Sequence, residues 1–371
     1  MKITRLETFL VRPRWLFLKV HTDTGLVGWG EPAVEGWSRT VAAAVEDIGR
    51  YLVGKDPRRI EHHWQAIYTG GFYRGGPVLT SALSGIEQAL WDITGKALGA
   101  SVHELLGGRV RDRIRVYAHV GGKTCEAYAQ AGRDCLDRGF TAVKTCPLGA
   151  VRFLESEPFV REVVARVAAL REAVGEAVDI GIDFHGRPSP AMAVRLCEAL
   201  APLRPLFIEE PCPPDDVAAL AEIARRTSVP IAAGERLFTR WGFREVLERR
   251  AAAVLQPDVS HAGGILEVRK IAAMAEAYGA ALAPHCPLGP VALAACLQVD
   301  ACTPNVLCQE QVCLGEGYLE RPFAVADGCV EVPAGAGLGI EVDEEALAGK
   351  LYDGAWRTPL LAHDDDSPAD W

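Results

Sequence analysis

The sequence predicts an α/β protein: a (β/α)8 barrel of the TIM type, with an N-terminal α+β capping domain that the C-terminal tail completes. Three observations predict it. Between residues 113 and 310, short apolar runs alternate eight times with segments of helical periodicity. The first 112 residues have another rhythm, strands first and helices after. Acidic residues close several of the apolar runs at equal steps, as happens when neighbouring barrel strands end on one face.

The elements follow in order. Residues 2–12, 14–22 and 26–31 read as strands; "LFLKVHTDTGLVGWG" alternates apolar and polar residues around a turn at Asp23-Thr24-Gly25. Helical spacing follows over 38–53, 58–69 and 79–98, the last opening on Thr80 or Ser81. The barrel strands are expected at 113–119, 141–146, 178–184, 205–210, 229–235, 252–258, 280–285 and 305–310. An open doubly wound sheet is the structural rival, but it calls for a Gly-rich phosphate fingerprint after its first strand, and none is present. Residues 329–343 read as two short strands around a Gly-rich turn. The expected division is a capping domain over 1–112, a barrel over 113–325, and a segment over 326–371 that returns to the cap.

Composition narrows the function. Of 371 residues, 49% are hydrophobic and 24% charged, a mix that supports a large core. The net charge of −10 leaves no excess of Lys and Arg to track phosphates, which argues against nucleic acid. The arginines of "GGRVRDRIRV" (107–116) are expected on a solvated strand edge. A small anionic substrate stays open, because a bound cation reverses the local sign. "MKITRLETFLVRPRW" lacks the apolar core of a signal peptide, and no run approaches the ~20 apolar residues of a membrane span. The expectation is a cytoplasmic protein without a membrane partner. The 11 cysteines lack CxxC spacing and fit free thiols, Cys146 and Cys286 standing out by their neighbours.

The run ends carry the chemistry. In "GIDFHGR", Asp183 and His185 are two apart, which on a strand puts both on one face. The next runs end in Glu209 and Glu210, Glu235, Asp258, His285 and Glu310. Asp183, Glu209 and Glu235 are spaced 26 residues apart, one β–α unit each. One such acid is most simply a solvated loop residue. Three on adjacent strand ends repel one another and call for a hard cation. Oxygen ligation with room for water suits Mg²⁺, whereas Zn²⁺ wants a His or Cys set that is missing.

His285, in "APHCPLGP", follows the strand that ends in Asp258. Read alone it is as well a structural histidine. An Asp beside it orients the ring and stabilises its cation, which makes a base. Strands three and seven of such a barrel face each other, so His185 and His285 flank a substrate, one taking a proton while the other gives one. The chemistry this suits is removal of a proton next to a carboxylate. Mg²⁺ would stabilise the enediolate charge, and Glu310 would assist at the far carboxylate oxygen.

The chain resembles the enolase superfamily, mandelate racemase subgroup. The stretches "PRWLFLKVHTDTGLVGWGEP", "GFYRGGPVLTSALSGIEQALWDITGKALGA", "DFHGR", "PLFIEEP", "AAGERLFTR", "LQPDVSHAGGI", "LAPHCPLGPVALAACL" and "HDDDSPADW" carry the resemblance over nearly the whole chain. It implies one Mg²⁺ per subunit, held by Asp183, Glu209 and Glu235. It implies a hydro-lyase in which His285, paired with Asp258, takes the C2 proton of a sugar acid, His185 protonates the departing C3 hydroxyl, and Glu310 supports the enediolate. D-galactonate is the expected substrate, a 2-keto-3-deoxy acid the product and a homo-oligomer the expected assembly. Arg14 and Tyr73 of the cap, with Lys144 and Cys146 of the second barrel strand, are the implied substrate contacts.

The chain departs from the family pattern over 145–160, where Cys146 replaces an Asn two residues after Lys144. The resemblance therefore implies the reaction class and leaves the sugar's stereochemistry open. A Lys-x-Lys pair is absent, which speaks against racemisation by a Lys and a His. The rival functions are dehydration of another aldonic acid, or epimerisation, and, since every expected catalytic residue is present, less readily a sugar-acid-binding homologue without turnover.

Overall fold

The computed structural model describes residues 1–371. The cap opens with an antiparallel meander of β1 (Ile3–Val11), β2 (Trp15–Thr22) and β3 (Val27–Gly30), in that order. Three helices follow: α1 (Ser38–Leu52), α2 (Ile60–Gly70) and α3 (Pro77–Leu98). Pro77 in the first turn of α3 forgoes an N–H that had no partner there, and Gly99 at φ +65 ends the helix. α3 is buried on nearly every side because it lies between the cap sheet and the barrel. It approaches β3 so closely that a Cβ on Gly30 would meet the backbone oxygen of Gly85. The short α4 (Val102–Leu105) starts on a capping box of Ser101 and Glu104.

The barrel alternates β4 (Arg113–Val120), α5 (Cys125–Asp137), β5 (Ala142–Thr145), α6 (Glu157–Val174), β6 (Asp179–Asp183), α7 (Pro190–Leu200), β7 (Phe207–Glu209), α8 (Val217–Arg226), β8 (Ile231–Ala233), α9 (Thr239–Glu248), β9 (Val254–Leu255), α10 (Ile265–Ala277), β10 (Ala281–Leu282), α11 (Pro290–Ala301) and β11 (Gln309–Glu310). Each strand from β4 to β10 pairs in parallel with the next. The last segment closes the ring: Val306 bridges to Leu282, and Gln309 and Glu310 pair with Val116 and Tyr117 of β4. Tyr117, Ala142, Phe207, Ala232, Val254, Ala283 and Cys308 point into the barrel and form a small core of their own.

The ladders are shorter than the apolar runs. Expected strands over 229–235, 252–258 and 280–285 shrink to three, two and two paired residues. Glu235, Asp258 and His285 therefore stand on loops beyond the last paired residue. The same correction applies to the pairing of Asp183 with His185. His185 has φ +52 and Glu210 φ +41, so the chain has left the extended conformation, and the two side chains of "DFH" meet through a turn rather than strand periodicity.

Past the barrel, a hairpin of β12 (Val325–Ala326) and β13 (Cys329–Glu331) adds antiparallel to the start of β4. This covers the edge expected to be solvated. Arg115 donates to Asp179 at 2.6 Å, and Arg111 donates to the backbone oxygens of Asp300, Thr303 and Pro304. The hairpin stays with the barrel, and the chain touches the cap on both sides of it: before it, Tyr318 donates to Arg12 O at 2.9 Å and packs on Trp15 and Phe17. After it, Val102 donates to Gly337 O, α12 (Glu344–Ala348) brings Glu344 within 2.5 Å of Lys19 Nζ, and Leu351 bridges to Val11. All 11 cysteines are free, and no helix is long and apolar enough to cross a membrane.

Candidate active site

A cavity of about 540 Å³ opens between the C-terminal ends of the barrel strands and the cap. Asp183 and Glu209 close β6 and β7, and Glu235 follows β8, so one carboxylate enters from each of three consecutive strands. Their oxygens can all lie within 4.8 Å of one another. Burial and the charge of Asp183 push Glu209 well above the usual carboxylate range, and burial pushes Glu235 to about 7. Against the same burial, Lys144 and His185 hold Asp183 below its usual value. A buried all-oxygen set whose members resist ionising together fits a hard divalent cation.

Lys144, expected at the substrate, is spent largely on these acids. Its Nζ donates to both oxygens of Glu209 at 2.9 Å and lies 3.3 Å from Asp183 and 2.8 Å from Glu310. It also lines the cavity.

The two imidazoles face the cluster from β6 and β10, which stand opposite each other in the ring. His285 Nδ1 lies 2.8 Å from Asp258 Oδ2, and its Nε2 lies 3.2 Å from Glu235. Asp258 is itself fixed by the backbone N–H of Ser260, which donates to Oδ1 at 2.6 Å. Burial works against a charge on His285, but Glu235, Glu310 and Asp258 outweigh it and raise the ring well above its usual value. His185 Nε2 lies 3.1 Å from Asp183, and burial pushes this imidazole down to about 4.

Glu310 accepts from Lys144 and lies 2.7 Å from His119 through Oε1, while Oε2 accepts from the backbone of Cys286 at 2.8 Å. Burial is outweighed there by Lys144, His285 and His119, and the carboxyl is held well below its usual range. Its neighbours therefore favour an anchored anion.

The remaining expected contacts divide. Arg14 lines the cavity, donates to Pro287 O at 3.3 Å and lies over the Trp356 ring. Tyr73 does not line it: the residue is 87% exposed on the cap, against Phe72. Cys146 does not line it either, because Arg187 covers the thiol at 3.5 Å, and burial pushes it up to about 11. Cys286 is a buried core thiol beside Cys296.

Sequence reading missed His119, Arg236, His261, Trp356 and Trp371, all on the cavity wall. His119 carried a findable signal, since it ends the first barrel run as the other site residues end theirs. His261 lies 2.8 Å from Ser81 of α3 and 3.7 Å from Asp258, which ties the cap to the His285 pair. The two tryptophans come from the tail and had no local signal.

Fold and site together define a barrel protein with two imidazoles facing a set of acids that could hold a metal ion. Residues 126–346 match the family described as enolase C-terminal domain-like, and residues 8–107 the mandelate racemase / muconate lactonizing enzyme N-terminal domain. The chain belongs to the enolase superfamily, in its mandelate racemase / muconate lactonizing enzyme family. It is 50% identical to the D-galactonate dehydratases of Variovorax paradoxus (strain S110) and Ralstonia nicotianae (strain ATCC BAA-1114 / GMI1000), over all of each chain. Among solved structures, a mandelate racemase/muconate lactonizing enzyme from Sulfitobacter sp superposes with a TM-score of 0.91 at 36% identity, covering 100% of both chains. The chain is an enzyme, a hydro-lyase like these relatives.

Proposed function

We propose that the enzyme dehydrates D-galactonate to 2-dehydro-3-deoxy-D-galactonate, with one Mg²⁺ per subunit held by Asp183, Glu209 and Glu235. The observation that carries the reading is the pair of imidazoles, His185 and His285, facing one carboxylate cluster from opposite strands. The names of the half-identical relatives supply the substrate.

The cation supplies positive charge that stabilises the substrate's carboxylate as it gains electrons, and that offsets the pull of Glu235 on the His285 proton. His285 Nε2 takes the C2 proton, while Asp258 at Nδ1 keeps the ring oriented and supports its charge. Lys144 and the anchored Glu310 fix the wall against which the carboxylate sits. His185 gives a proton to the C3 hydroxyl as it leaves. Burial holds this ring down to about 4, and Asp183, the acid nearest its Nε2, works against that burial toward the charged form. With base and acid on opposite walls, the elimination is anti. We further propose a homo-oligomer working in the cytoplasm, where 11 free thiols suit a reducing compartment.

The test is a panel of stereochemically defined aldonic and aldaric acids with Mg²⁺, reading the 2-keto-3-deoxy product as its semicarbazone. D-galactonate is expected to turn over fastest. Faster turnover of another aldonic acid overturns the substrate and keeps the chemistry; no turnover of any acid overturns both.

A further inference from the structure

Trp371 lies at the mouth of the barrel. After Leu351 the tail crosses the cavity, where Trp356, Thr358 and Pro359 line it. It then turns back on itself: Ala362 bridges to Pro368, and Ala369 donates to Leu361 O at 3.0 Å. Arg152 pins this turn to the loop before α6, with both terminal nitrogens 3.3 Å from Asp365. The turn delivers Trp371 back to the cavity wall. Its ring lies 5.2 Å from that of His185, and the Arg187 guanidinium lies over it at 5.3 Å. Both neighbours belong to the loop between β6 and α7, so the Trp371 indole is clamped onto the loop that carries His185.

His185 lacks the anchoring that His285 has. The His285 ring is held at both nitrogens, by Asp258 and by Glu235. The His185 ring has one polar neighbour, Asp183 at Nε2, and its buried Nδ1 has no hydrogen-bond partner. Its backbone sits at φ +52, followed by Gly186 at φ +72, outside the strand ladder. The indole of Trp371, tilted at 49° to the imidazole, is the ring's aromatic neighbour.

We infer that Trp371 is a positioning residue for His185, holding the imidazole toward the leaving hydroxyl. The inference rests on the dehydration proposed above. In the step concerned the C3–O bond breaks, the departing oxygen takes a proton from His185 and leaves as water, and the enediolate electron pair becomes the C2–C3 double bond. Abstraction at C2 belongs to His285 and does not depend on the indole.

In Trp371→Ala, dehydration of D-galactonate is expected to slow about tenfold or more, while exchange of the C2 hydrogen with solvent deuterium stays within about twofold; Trp371→Phe restores dehydration to within about threefold. Equal losses of exchange and dehydration, a rise in KM alone, or no change overturn the inference. A second readout needs no turnover. Diethyl pyrocarbonate modification, mapped by mass spectrometry, is expected to reach His185 at least about threefold faster in Trp371→Ala, with His285 unchanged. Equal rates at His185 overturn the contact even if the enzyme acts on a different acid.

Discussion

The carboxylate of Glu31, in the cap, accepts hydrogen bonds from the backbone N–H groups of Gly289 at 2.6 Å and Ala292 at 2.9 Å, at the first turn of α11. Glu87 of α3 makes the same kind of contact with Ile265 and Leu266 at the start of α10. Each buried acid faces a helix N-terminus, where the N–H groups lack partners of their own. The two contacts fasten the cap on either side of the His285 loop.

They also make stability depend on pH. Burial outweighs the N–H groups and pushes Glu31 to about 8 and Glu87 to about 7, from an ordinary value of 4.5. Between 4.5 and those values the folded protein keeps a proton that the unfolded chain has released. Stability therefore falls as pH rises through this window, by up to about 1.4 kcal/mol per pH unit for each group. Thermal melting of wild type and Glu31→Gln from pH 5 to 8 checks the sign: the wild type is expected to lose ground to the variant as pH rises, and a constant difference contradicts it.

Arg14 is the cap's cation in the cavity and touches none of the proton-transfer groups. Removing it costs binding in ground and transition states alike. Arg14→Leu is expected to raise KM about tenfold with kcat within about threefold. Steady-state kinetics would sink this reading by showing a fall in kcat at unchanged KM.

His119 shares Glu310 Oε1 with Lys144. His119→Phe leaves Lys144 as the only side-chain partner of that oxygen, and a looser Glu310 wall is expected to lower kcat about ten- to hundredfold. Because His119 is 41% exposed, its melting temperature should stay close to that of the wild type. Full activity in the variant would leave His119 a bystander.

Mg²⁺ is expected to restore activity after EDTA and to raise the melting temperature. At a hundred times its dissociation constant, a ligand of the folded state alone adds about 2.7 kcal/mol. Asp183→Asn should abolish both responses. Full turnover in metal-free buffer argues against the cation site.

Much of this was legible in the chain. Three acids one β–α unit apart announce a shared strand-end face, and their oxygens lie within 4.8 Å of one another. Strand lengths were not legible, because an apolar run continues past the last paired residue wherever a loop packs into the core, as it does at Gln256 and Asp258. The placement of Lys144 was hidden for another reason. Its partners Glu209 and Glu310 lie on other strands, and only ring closure brings them to one side chain. Trp371 reaches the site through a tail that first crosses the cap, a route no local periodicity encodes.

The central claim is the division of labour between the two histidines. The direct measurement is NMR of D-galactonate in D₂O with Mg²⁺, following C2 deuteration and dehydration in His285→Asn and His185→Asn. His285→Asn is expected to lose both reactions, and His185→Asn to lose dehydration while C2 exchange continues. Exchange surviving in His285→Asn and vanishing in His185→Asn would contradict this and reverse the two roles.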